Sequence, residues 1–152
     1  MKFSPFALPK DLAEPLVPRV IWLIQHHMAH PTWDLRQVHQ FHRYVLKWGA
    51  IGYNYWIDFD GTTYRTRGLR RGRHTKGYNE CSLGIGYRGD FDKQVMNDAQ
   101  FQAGVELNQY LLDRFRLPIS AIVPHARFGS TTCPGRQFPL QQLIESLRSR
   151  YS

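Results

Sequence analysis

The sequence predicts a single α/β domain: a mixed central β-sheet flanked by about three main helices on its two faces. Three observations carry that expectation. A chain of 152 residues is long enough to bury one core and too short for two. Runs of strand length alternate with longer runs of helical period. Hydrophobic residues make up 42% and Gly and Pro are moderate, which separates the chain from disordered sequences.

Taken in order, residues 1–19 are broken by four prolines and read as an irregular lead-in packed on the domain formed by 20–152. Its prolines and acidic residues leave no signal-peptide core, so the protein is expected to be made in the cytoplasm and to need release to reach anything outside. The longest apolar run, Val20–Ile24, is far too short to span a bilayer. Extended to Gln25, it has the pattern of a strand buried on both faces. Asp34–Trp48 reads as a helix with Leu35, Val38, Phe41, Val45 and Trp48 inward, capped by Asp34 with Gln37 three residues on. Tyr53–Phe59 and Thr62–Thr66 are strand-like and flank Asp60-Gly61, a hairpin signal. Ser82–Tyr87 is a further strand. Asp98 to about Phe115 is a helix facing inward through Phe101, Val105, Leu112 and Phe115, with Pro118 marking its end. Ala121–Pro124 is a short strand that delivers His125, and a last helix begins near Pro139 and buries Leu140, Leu143, Ile144, Leu147 and Tyr151.

Twenty basic against 12 acidic residues leave a formal charge of +8, concentrated between Arg65 and Lys76. Charge of that sign attracts polyanions of three classes: nucleic acid, anionic lipid or an acidic cell wall. The bland alternative is a solvated loop that keeps the protein soluble. No nucleic-acid motif is present. Two cysteines, Cys81 and Cys133, do not make a disulfide framework, whereas seven histidines justify a search for metal.

His26 lies at the end of the first long strand, His125 at the end of the last, and Cys133 follows in Thr-Thr-Cys-Pro-Gly. Two imidazoles and a thiolate are three tetrahedral zinc ligands with the fourth position left to water, the composition of a catalytic site. Ligands so far apart must be gathered by the sheet, so spacing alone says little. His27 and His30 are alternatives to His26, though strand alternation sends His27 to the opposite face. His26 and His30 lack the Glu of a zincin motif. His39 and His42, three apart on a helix, are explained most simply as the flank of an amphipathic helix. Cys81 reads as a partly buried thiol, and Trp48, Tyr55 and Trp56 as core or groove wall.

Several segments, in order and with matching gaps, resemble the type 2 amidase and peptidoglycan recognition protein superfamily. They are His26-His27-Met28-Ala29 after an apolar strand, Phe41-His42 through Trp48 to Ile51-Gly52-Tyr53-Asn54-Tyr55, and Asp60-Gly61 with Tyr64 and Arg67-Gly68. They continue with His74-Thr75-Lys76-Gly77-Tyr78-Asn79, Ser82-Leu83-Gly84-Ile85, Gly89-Asp90-Phe91, and His125 with Thr131-Thr132-Cys133-Pro134-Gly135. The resemblance spans about residues 20–147 and implies a zinc site in a surface groove, with His26, His125 and Cys133 as ligands. It implies hydrolysis of the amide between N-acetylmuramic acid and L-alanine in peptidoglycan, as in phage endolysins and autolysins. Thr131 would stabilise the oxyanion, and Tyr53 would position water or assist proton transfer. His74 and Asn79 would contact substrate. The expected protein is a monomer whose +8 charge draws it to anionic wall or membrane, with no specific nucleic-acid partner. The alternative is a non-catalytic peptidoglycan recognition module.

Three departures stand out. Related cytoplasmic amidases carry a catalytic Glu where this chain has Gly86, which shifts the helper role toward Tyr53. Ala50 replaces an Asp common before Ile-Gly-Tyr, and His125-Ala126-Arg127 replaces His-Arg-Asp.

Overall fold

The computed structural model describes the backbone of residues 1–151 and the side chains of residues 1–149. In chain order the elements are β1 (Ser4–Pro5), β2 (Trp22–His27), α1 (Leu35–Gln40), β3 (Tyr55–Ile57), β4 (Thr63–Arg65), β5 (Ser82–Tyr87), α2 (Asp98–Phe115), β6 (Ile122–Pro124) and α3 (Leu140–Tyr151). Among the described residues six strands form one sheet in the order β1-β4-β3-β5-β2-β6. The hairpin strands β3 and β4 pair antiparallel and every other pairing is parallel, so the sheet is mixed. The hairpin turns where the sequence asks: Gly61 sits at φ +85°, a conformation that favours glycine. The lead-in contributes β1 at the sheet edge, where Phe3 packs between Tyr55 and Tyr110.

Parallel strands covered on both sides are buried on both sides, and the central pair shows this. Every residue of β5 is buried, as are Leu23–His27 of β2. On one face Leu23, Leu83, Ile85, Tyr55 and Ile57 meet Val105, Leu107, Leu111 and Leu112 of α2 and Leu143 and Leu147 of α3. On the other, Leu35 and Val38 of α1 join Ile51, Tyr53 and Trp56 in a smaller cluster. The first face also holds polar groups that apolar periodicity does not register. Gln25 exchanges hydrogen bonds with Asn108 at 2.9 and 3.2 Å and accepts the Tyr87 hydroxyl at 2.7 Å. Gln100 is likewise fully buried and donates to the carbonyls of Ile57 and Arg88.

The helix expected over Asp34–Trp48 has its reciprocal cap, Gln37 N–H to Asp34 Oδ1 at 2.9 Å and Asp34 N–H to Gln37 Oε1 at 3.0 Å. It does not run on as an α-helix. After Gln40 the chain widens to a π-turn over Phe41–Val45, and the segment ends with Lys47 at φ +62°. The cause is long-range. His39 Nδ1 accepts the Ile51 N–H at 3.1 Å and His42 Nδ1 accepts the Gly52 N–H at 2.9 Å, so both imidazoles turn toward the chain that follows. The expectation of a plain helix flank for them is corrected accordingly. Val45, expected inward, is 64% exposed beside exposed Tyr44, because the wider turn shifts the helical face.

The basic run is also more than a solvated loop. The Arg67 side chain is fully buried and donates to the carbonyls of Trp48, Ala50, Ile51 and Arg71, tying down the segment that enters β3. In α3, Leu143 and Leu147 are buried and Leu140 and Ile144 partly so, while the expected burial of Tyr151 lies outside the described residues. Among the described residues no helix is long and apolar enough to cross a membrane.

Candidate metal centre and its groove

Alternation along β2 sorts its residues between the faces. Gln25 and His27 point toward α2 and α3, and His26 points the other way. The register sets His26 opposite Gly86 of β5, and that glycine makes room for the site. A Cβ at Gly86 would lie 2.4 Å from the Tyr53 ring, and one at Gly84, two residues back on the same face, 2.5 Å from the His74 ring. The central strand is therefore a bare floor on which Tyr53 and His74 lie flat. A side chain at position 86 would displace Tyr53, so Gly86 and Tyr53 form one arrangement.

His125 enters from β6, the neighbour of β2, as the first residue of a short 3-10 turn. Cys133 is brought back to it by backbone pairing, Ala126 N–H to the Cys133 carbonyl at 2.8 Å. Asp92 holds the returning loop, accepting from Thr132 Oγ1 at 2.7 Å and from the Arg136 N–H at 2.9 Å. Gly135, at φ +105°, allows that loop to lie against Phe91 with no space for a Cβ. These parts place one nitrogen each of His26 and His125 and the sulfur of Cys133 within 4.8 Å of one another. His26 Nδ1 is 3.7 Å from Cys133 Sγ. Tetrahedral zinc with bonds of about 2.0–2.3 Å needs ligand atoms roughly 3.3–3.8 Å apart, so the three donors fit in kind and the His26–Cys133 pair in spacing.

The same atoms line a cavity of about 220 Å³ with Tyr53, His74, Thr131, Trp48 and Arg73. Hollows of about 560 and 660 Å³ elsewhere are lined by no histidine or cysteine, so the smaller cavity is the one with chemistry. Tyr53 directs its hydroxyl at the His27 carbonyl, 3.4 Å away, with its ring 5.4 Å from that of His26. Thr131 Oγ1 accepts the Cys133 N–H at 3.1 Å. His74 Nδ1 lies 2.9 Å from His26 Nε2, and Thr75 Oγ1 is within reach of both imidazoles at 2.9 and 3.2 Å. Among the described residues His74 Nε2 is buried without a partner, a condition that costs about 1–3 kcal/mol when it carries a proton. Asn79 is absent from the cavity lining. Its Oδ1 accepts the N–H groups of both His74 and Thr75 at 3.0 Å, holding the loop that presents them.

Burial governs the electrostatics. It drives the His26 pKa far down, aided by His74 and His125, and lowers His125 in the same way. Burial takes His74 down to about 3 and His42 to about 4, with Arg67 contributing to each. The imidazoles are thus neutral at pH 7, the state in which they can ligate. Burial pushes the Cys133 thiol up to about 12, so without a cation it keeps its proton. The Tyr53 phenol is raised too, by burial and then by Cys133.

A second trio, His27, Asp90 and Asp92, has ligand atoms equally close on the opposite face. Several of its acceptors are engaged within the protein: His27 Nδ1 by the Phe91 N–H, Asp90 Oδ1 by the Asp92 N–H, and Asp92 by Thr132 and Arg136. It serves as a latch for the loop. The latch and the π-turn escaped sequence reading, since an aspartate on a loop carries no signal of the partner it will hold.

Residues 17–136 match the family described as N-acetylmuramoyl-L-alanine amidase. Peptidoglycan-recognition protein SC2 of Drosophila simulans is 33% identical over 104 residues, 67% of this chain and 56% of that protein. The chain thus spans little more than half the length of that relative. The solved N-acetylmuramoyl-L-alanine amidase LysC from Clostridium intestinale superposes with a TM-score of 0.90 over 97% of this chain and 98% of LysC, at 23% identity. Human PGRP-IBETAC, solved in complex with glycosamyl muramyl pentapeptide, superposes with a TM-score of 0.80 at 26% identity, covering 90% of this chain and 91% of that one.

Proposed function

The chain belongs to the N-acetylmuramoyl-L-alanine amidase family, and from that premise we propose that it is a zinc-dependent enzyme that hydrolyses the amide between N-acetylmuramic acid and L-alanine in peptidoglycan. The observation that carries the reading is the trio of neutral His26, neutral His125 and Cys133 opening onto one cavity with Tyr53 and Thr131 at its edge. Zinc, held by His26, His125 and Cys133, would supply Lewis acidity, which polarises a carbonyl and acidifies water.

The chain's own groups do the rest. Tyr53 keeps its phenol proton at any working pH, since burial raises its pKa, so it acts as an oriented hydroxyl rather than as a base. The Thr131 hydroxyl oxygen already accepts the Cys133 N–H, which leaves its proton free to donate to the developing oxyanion. Trp48 and Arg73 wall the cavity, the guanidinium 5.5 Å from the indole centre, and offer an apolar face and a charge to a polar acidic strand. The excess of 20 basic over 12 acidic residues suits approach to an anionic wall, and the role is lysis after release, as an endolysin or autolysin performs it.

The test is release of L-alanine amino termini from purified peptidoglycan, with and without chelator. New amino termini without new reducing sugar ends, lost on chelation and restored by zinc, are expected. Wall binding by zinc-loaded protein without release replaces the enzyme by a recognition module, the role in the name of the Drosophila relative.

A further inference from the structure

We infer that His74, rather than contacting substrate, is the positioning residue for the metal: its Nδ1 accepts the Nε2 proton of His26 and fixes that imidazole with Nδ1 bare toward Cys133 and His125. The ligand is taken from the zinc reading above. The positioning role stands on geometry of its own.

The two ring nitrogens of His26 face different neighbours. Nδ1 looks at Cys133 Sγ across 3.7 Å, and Nε2 looks at His74 Nδ1 across 2.9 Å. To offer its lone pair, Nδ1 must be without a proton, which places the proton on Nε2. A buried Nε2–H needs an acceptor, and a metal-bound histidine commonly finds a carboxylate or backbone carbonyl there. Among the described residues His26 has neither. Its Nε2 is offered only the His74 imidazole and the Thr75 hydroxyl, at 3.2 Å. The hydroxyl can relay the bond, since it lies 2.9 Å from His74 Nδ1, and both routes end on the same atom.

His74 can accept at Nδ1 only if its own proton sits on Nε2, and that nitrogen is buried with no partner among the described residues. An orphaned polar atom in a packed site calls for a reason, and serving as the acceptor for His26 is one. The ring has no slack to escape. A Cβ at Gly84 would fall 2.5 Å from ring Cγ and one at Gly72 2.8 Å from Cδ2, so two glycines cradle it, while Asn79 Oδ1 pins its backbone N–H at 3.0 Å.

Long-range proton–nitrogen correlation spectra of the zinc-loaded protein read the tautomers without any substitution. His26 and His74 should both be protonated at Nε2, and a His74 proton on Nδ1 overturns the inference. Zinc affinity, measured against a competing chelator, gives a second arm. His74→Leu is close in volume and removes the acceptor, and should weaken zinc binding by about 10–100-fold and shift the visible bands of the cobalt-substituted protein. His74→Asn restores an acceptor near the Nδ1 position and should recover most of that loss. A His74→Leu variant with unchanged affinity and unchanged cobalt bands defeats the positioning role while leaving the metal reading intact. An unaltered protein that binds no zinc defeats both.

Discussion

β2 carries two buried polar clusters back to back. Toward α2, Gln25, Asn108 and Tyr87 close on themselves: each side-chain nitrogen and oxygen has a partner, with Leu23 O and Gly104 O taking the remaining amide hydrogens. Toward the groove, His26, His74, Thr75 and Cys133 stay open, with a thiol forced to keep its proton and an imidazole nitrogen left alone. A satisfied network in a low-dielectric core rigidifies, and a partly satisfied one stores cost until a ligand completes it. The first cluster should therefore be about stability and the second about chemistry, though they sit one residue apart.

Crossed substitutions test that division, with the largest effect first. Cys133→Ser should abolish zinc retention and lower turnover by about a thousandfold or more, with metal-free stability near that of the parent. Asn108→Leu should do the reverse, costing about 2–4 kcal/mol by leaving Gln25 and Tyr87 short of partners while zinc affinity holds. Urea unfolding and chelator competition on both variants give the four numbers. Loss of zinc from Asn108→Leu would erase the contrast.

The contrast was only half legible in the sequence. Strand alternation separates His26 from His27, and the quoted motifs pick out His26, His125 and Cys133 as a possible set, because short-range pattern and residue type carry that information. Gly86 reads in sequence as a missing glutamate, whereas in space it and Gly84 are the floor under Tyr53 and His74. Nor do the sites of Arg67 and Asp92 follow from their neighbours in the chain. Each is decided by distant groups: the carbonyls of Trp48, Ala50 and Ile51 for the first, and the Thr132 hydroxyl and Arg136 N–H of the returning loop for the second. Gly86→Ala sharpens this point. A Cβ 2.4 Å from the Tyr53 ring must push the phenol aside, which should lower turnover by about 10–100-fold with zinc affinity little changed. Unchanged turnover would remove Tyr53 from the working groups.

Acid separates the two clusters by the smallest and most graded effect. Burial holds the pKa values of His26, His42, His74 and His125 below 6.5, and Arg67 adds to the depression of His42 and His74. The unfolded chain therefore binds more protons than the native one as pH falls below 6.5. Native stability contributed by these neutral rings is fully present above that value and is lost on the way down, through about 4 for His42. No member of the Gln25–Asn108–Tyr87 network titrates there, since the Tyr87 phenol is raised. Metal-free protein should thus lose stability between pH 6.5 and 4 by up to about 1.4 kcal/mol per pH unit for each histidine taking up a proton on unfolding. Asn108→Leu should shift that curve downward without changing its slope. His42→Asn retains an acceptor for the Gly52 N–H but no titrating group, and should flatten the slope by about one proton. Urea midpoints at a series of pH values measure both. Equal slopes for parent and His42→Asn would mean that His42 keeps its ordinary affinity for protons, and that the groove face is wetter than its packing implies.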